Sequence, residues 1–122
     1  MAEHEEQAAL MSMCSYDRRL RWLFAIPNGG QRNVRVAVKL KMEGVKAGVW
    51  DLFLPVPSQG YHGLFIEMKY GHNKLTPEQV EFREHLEVNH YKTAVCYSAE
   101  DAYAELESYL GENDKAIDKP TF

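Results

Sequence analysis

Two short apolar runs constrain this chain most. Val49 to Val56 has Asp51-Leu52-Phe53-Leu54-Pro55-Val56 at its heart, and Tyr61 to Tyr70 contains Leu64-Phe65-Ile66. Pro55 and Pro57 close the first run, and Ser58-Gln59-Gly60 has the composition of a tight turn. Proline cannot donate to a sheet ladder, and serine and glycine favour turns. The pattern predicts a β-hairpin of two core strands.

Around that hairpin the pattern is mostly helical. Ala8, Leu10-Met11, Cys14 and Leu20 recur near helical spacing and predict a helix over 3–23, running into a short extended piece, Leu23 to Ile26. Pro27-Asn28-Gly29-Gly30 breaks the chain. Val34, Val38 and Leu40 to Met42 predict a helix over 32–42, stopped by Gly44. Thr76-Pro77-Glu78-Gln79 predicts a sharp helix start: Thr76 caps, Pro77 suits the first helical position and Gln79 completes a capping box. That helix is expected to reach Val88, followed by a strand over 92–97. Ser98 caps a last helix ending at Leu110, before Gly111. The expected fold is α/β, a small mixed β-sheet flanked by helices, in one domain over 1–111 with a flexible tail over 112–122.

Composition supports one soluble domain: 122 residues, 45% hydrophobic and 26% charged. Cys14 and Cys96 lie far apart without zinc-site spacing and are expected to be small buried hydrophobes. Trp22, Phe24 and Phe53 are expected in the core. The acidic start, MAEHEEQ, does not resemble a leader peptide, and no apolar run approaches a membrane span. A cytoplasmic location without membrane contact follows by default. The net charge of −4 is unevenly spread. Arg32, Arg35, Lys39, Lys41 and Lys46 cluster against Glu43 alone, whereas seven acids face two lysines from Ser98 onward. Such asymmetry can put a basic face on an acidic protein, although a solvated helix face accounts for the basic run equally well.

Candidate chemistry sits on the hairpin. Glu67 and Lys69 lie two apart on the second strand, so they project to one face about 7 Å apart. Asp51, at the start of the first strand, can lie opposite Glu67. Charged groups on core strands are rare unless paired or functional. Two neighbouring carboxylates repel, and a hard cation such as Mg²⁺ or Mn²⁺ relieves the repulsion while keeping waters. A lysine alongside can orient a water or stabilise charge on a phosphate. The five histidines show neither HxH nor HExxH spacing, so zinc hydrolase chemistry lacks support.

The segments Ile26-Pro27-Asn28-Gly29-Gly30, Glu43 to Leu52, Ile66-Glu67-Met68-Lys69 and Leu75-Thr76-Pro77-Glu78-Gln79 together resemble the PD-(D/E)XK nucleases, and within them the stand-alone VRR-NUC branch of phages and bacteria. The resemblance spans about residues 3–110. It implies a restriction-endonuclease-like αβββαβ core and an Mg²⁺- or Mn²⁺-dependent DNA endonuclease, structure-specific for a Holliday junction or flap and acting as a homodimer. It implies Asp51, Glu67 and the Met68 carbonyl as metal ligands and Lys69 as the catalytic lysine. A glutamate and a glutamine four residues apart on the first helix complete the family's site. Here these are Glu3 and Gln7, with Glu5 and Glu6 as rivals for Glu3. Trp50 stands where the family has proline.

Lys46, Arg32, Arg35, Asn28 and Gly29 are the expected DNA contacts, through side chains and exposed backbone amides. The apolar stripe of the first or last helix is the expected dimer contact. Two other classes compete: a non-catalytic DNA-binding or assembly module that kept the fold, for which Trp50 argues, and a small α/β regulatory protein with an accidental ExK.

Overall fold

A computed structural model describes residues 2–27 and 33–116. In chain order the elements are α1 (Ala2–Cys14), a 3₁₀ turn (Arg18–Leu20), β1 (Phe24–Ala25), α2 (Val34–Met42), β2 (Leu52–Leu54), β3 (Leu64–Met68), α3 (Pro77–Val88), β4 (Lys92–Cys96) and α4 (Ala99–Ala116). The strands form one mixed sheet in the order β1-β2-β3-β4. β1 and β3 run antiparallel to β2, and β4 runs parallel to β3. A parallel neighbour needs a crossover rather than a hairpin, and α3 supplies it.

The hairpin forms where the breakers lie. Ser58 bridges Tyr61, and Gln59 and Gly60 take φ of 54° and 87°. Two consecutive positive φ angles give the turn whose twist matches a hairpin. The Gln59 amide donates to the carbonyls of Ser108 and Tyr109, at 2.8 Å each, and the Tyr109 hydroxyl donates to the Val56 carbonyl at 2.6 Å. The turn is thereby fastened to the end of α4.

Alternation along the strands divides the core in two. Leu52, Leu54, Leu64, Ile66, Met68 and Cys96 face α1 and α4, where Leu10, Cys14, Ala102 and Leu106 meet them. Phe53, Phe65 and Val95 face the other way, toward Phe82 and Leu86 of α3 and the buried Trp50. Every residue of β3 is buried, as expected for a strand covered on both faces. Both cysteines are free and buried.

Several boundaries differ from expectation. The first helix ends at Cys14, because the Asp17 side chain accepts the Arg19 N–H and caps a 3₁₀ turn instead; a short polar side chain gives the backbone this alternative. Asn33, accepting the Val36 N–H at 2.8 Å, caps α2, which therefore starts at Val34. Trp22 and Phe24 are 58% and 46% exposed, because Trp22 lies in the turn before β1 and β1 is a two-residue edge strand. Val34, Val38 and Met42 are also exposed, and no residue of α2 is buried. The apolar sides of α1 and α4 pack on each other and on the sheet, so they are not free for a dimer contact. Gly111 leaves helical geometry (φ 71°, ψ −174°), and helical backbone resumes to Ala116. Residues 117–122 lie outside the described part.

Leu106 is fully buried between α4 and the sheet. Leu106→Ala should lower the unfolding free energy by about 2–5 kcal/mol, measured by urea denaturation.

Candidate active site

Asp51 stands one residue before β2, and Glu67 is the fourth residue of β3. The register Leu52↔Ile66 sets the two acids opposite each other, and opposed residues of an antiparallel pair share a face. Each carboxylate is held by the other's strand. The Asp51 N–H donates to Glu67 Oε1 at 3.2 Å, and the Met68 N–H donates to Asp51 Oδ2 at 2.9 Å. The N–H and C=O of a strand residue leave the backbone on the same side, so the Met68 carbonyl also lies on the Asp51 side.

Lys69 continues the Glu67 face. Its Nζ lies 3.4 Å from Glu67 Oε2. Among the described residues Glu67 and Lys69, 3% and 8% exposed, are the buried charged ones. Glu67 Oε2 also accepts from Gln79 Nε2 at 2.9 Å. The capping box explains why Gln79 is there: its Oε1 accepts the Thr76 N–H at 2.9 Å while Thr76 Oγ1 accepts the Gln79 N–H at 3.1 Å.

The approach to Asp51 is clamped onto the same helix start. Gly48 has φ of 92°, and a Cβ there would fall 2.6 Å from the Glu78 carbonyl oxygen. Only glycine suits both the conformation and the contact. Trp50 is fully buried, and its indole N–H donates to the Gln79 carbonyl at 3.1 Å.

On the other side, α1 brings Glu3 and Gln7 to an open cleft of about 320 Å³ that Asp51, Met68 and His4 also line. Asn73 Nδ2 donates to Glu3 Oε2 at 3.5 Å. Glu6 is engaged elsewhere: its Oε1 accepts the Ala99 N–H at 2.7 Å and caps α4. Glu5 is exposed. Among the described residues no three His, Cys, Asp or Glu side chains converge into a metal cluster. A cation in this cleft would find oxygen donors on Asp51, Glu3 and Met68, with His4 also on the lining. Oxygen donors of this kind suit a hard divalent ion.

Burial raises both carboxyl pKa values. For Asp51 the Glu3 charge adds to burial, while the Met68 N–H and Lys69 oppose it. Glu67 is pushed up to about 7, by burial first and the Asp51 charge second.

Asp51, Glu67, Lys69, Met68, Glu3 and Gln7 thus come together. Lys46 and Arg35 are exposed, on the α2–β2 loop and on α2. Asn28, Gly29 and Arg32 lie outside the described residues. His4 and Asn73 were not expected at the site; Gln79 was expected as a helix cap first, in a region that the family resemblance places beside the active site. A signal existed for Gln79: the capping box uses its oxygen and leaves two amide donors requiring an acceptor.

A mixed sheet between helical layers, with paired acids and a lysine at a strand end, defines a restriction-endonuclease-like α/β domain. A family model for the VRR-NUC domain matches residues 2–100, and the chain belongs to that family. A solved structure described as a "VRR_NUC domain protein" is similar at a TM-score of 0.77 and 28% identity, over 90% of this chain and 88% of that one. Comparison with curated proteins gives no match. Membership implies nuclease-type action on DNA. Among the described residues no helix is long and apolar enough to cross a membrane.

The raised Glu67 pKa predicts a pH dependence for the metal-free protein. Between 4.5, the ordinary value, and about 7 the folded chain keeps a proton that the unfolded chain releases. Stability from this group is therefore complete below 4.5 and falls as pH rises to about 7. Denaturation in EDTA across that range should show the decline in wild type and a flatter profile in Glu67→Gln.

Proposed function

We propose that this chain is a DNA endonuclease dependent on Mg²⁺ or Mn²⁺, hydrolysing phosphodiester bonds in branched DNA such as a Holliday junction or flap. One observation carries the reading: Asp51 and Glu67 are interlocked by 2.9 and 3.2 Å hydrogen bonds beside a buried Lys69. Asp51, Glu67 and the Met68 carbonyl are the proposed metal ligands, with Glu3 closing the set from α1 and Gln7 beside it. When bound, the cation supplies charge neutralisation at a phosphate and raises the acidity of water. Lys69 orients the attacking water or donates to the phosphate oxygen that gains charge. Glu67, accepting from Gln79, fixes where that amine stands.

Lys46 and Arg35, exposed on the α2 side, are the proposed phosphate contacts, together with Arg32, Asn28 and Gly29. A homodimer supplies one site for each strand of a junction. Its proposed contact is α2, where Val34, Val38 and Met42, one helical turn apart, are 78%, 52% and 83% exposed. A cytoplasmic location completes the reading. The non-catalytic alternative rested on Trp50, which here is fully buried and hydrogen-bonded to α3.

The test is cleavage of a labelled four-way junction with Mn²⁺. Wild type should cut and EDTA should abolish cutting. Lys69→Ala should lose about 10²-fold or more in rate; equal rates would remove Lys69 from the chemistry. Light scattering at micromolar concentration should give a dimer mass, and Val38→Glu should give a monomer; a monomeric wild type refutes the α2 contact.

A further inference from the structure

The first turn of α3 touches both strands of the site through one residue. The Gln79 side chain donates to Glu67 Oε2 at 2.9 Å, and the Gln79 carbonyl accepts the Trp50 indole N–H at 3.1 Å. Trp50 adjoins Asp51 in the chain, so a single peptide unit is tied to the neighbours of one acid and to the other acid directly. The Gln79 amide is itself held, because its oxygen accepts the Thr76 N–H at 2.9 Å. An amide fixed at its oxygen has little freedom left at its nitrogen. Gly48 brings the preceding loop against Glu78, with space for no Cβ, which presses the segment before Asp51 onto the same turn.

We propose that Gln79 is a positioning residue for Glu67, and that Trp50 joins the Asp51 strand to it, so that one helical turn sets the relative placement of both acids. Trp50 couples the strand to α3, with its ring sealed into the smaller core beside Phe65 and Leu86. Among the described residues the partners of Glu67, besides any cation, include the Asp51 N–H, Lys69 and Gln79. Removing Gln79 leaves Lys69 alone on Oε2, free to draw the carboxylate toward itself and away from Asp51. Partners that orient a ligand typically change metal affinity by about 10–100-fold when removed.

This inference rests on the proposed role of Glu67 as a ligand, and the experiment separates the two. Mn²⁺ affinity is measured by calorimetry on wild type, Gln79→Met, Thr76→Ala, Trp50→Phe and Glu67→Gln, with thermal midpoints for each. Gln79→Met keeps the length of the side chain and removes the amide; Trp50→Phe keeps a buried ring and removes the donor. Thr76→Ala weakens the cap but leaves the amide, so it reports what loss of helix stability alone does. Gln79→Met should bind Mn²⁺ about tenfold more weakly and Trp50→Phe several-fold more weakly, while Thr76→Ala lowers the midpoint with affinity unchanged. In metal-free protein the Glu67 side-chain carboxyl ¹³C resonance should move in Gln79→Met and stay in place in Thr76→Ala. Wild-type affinity in Gln79→Met, or equal losses in Gln79→Met and Thr76→Ala, overturns the positioning role. Undiminished binding in Glu67→Gln overturns instead the ligand role beneath it.

Discussion

Two like charges placed side by side inside a protein are the constraint on which this structure turns. A buried carboxylate is costly unless it is hydrogen-bonded or paired, and a second one beside it adds repulsion. Here the cost is met locally. Backbone N–H groups of Asp51 and Met68 each reach across to the opposite acid, and Lys69 and Gln79 share one oxygen of Glu67. The arrangement works only while β2 and β3 keep their register, since a slip of one residue would turn each acid to the other face.

The rest of the fold serves that register. The hairpin turn is pinned to α4 through Gln59 and Tyr109, and α4 is capped in turn by Glu6 of α1. The crossover α3 seals the aromatic side of the sheet with Phe82 and Leu86 and delivers Gln79 to the acids. Against this braced core, α2 stands apart with its valines, Arg35 and lysines exposed. A packed sheet carrying the paired acids beside an exposed basic and apolar helix is a division suited to the large, charged partner proposed above.

The site was legible to the degree that it obeys period two. Glu67 and Lys69 share a face because strands alternate, and Asp51 meets Glu67 because a short turn leaves few registers. Glu3 and Gln7 came from the family resemblance, and i, i+4 spacing set them on one helix face. Less legible was everything that depends on what happens to lie nearby. Three glutamates crowd the start of α1, and only their neighbours separate them: Glu3 meets Asn73, Glu6 caps α4 and Glu5 faces water. Trp22, Phe24 and the α2 valines look like core residues by type, yet they lie on a turn, an edge strand and an exposed helix.

By itself the sequence determined the α/β layering, the hairpin, the α3 capping box and the pairing of acid with amine on β3. All of these are local, governed by backbone periodicity and by side chains acting within a few residues of themselves. Only the tertiary structure decided which glutamate faces the cleft, that Trp50 and Glu67 both hydrogen-bond to Gln79 on one helical turn, and that α2 has no buried residue. Those outcomes join segments far apart in the chain, and no short-range preference specifies which distant surface a side chain will meet.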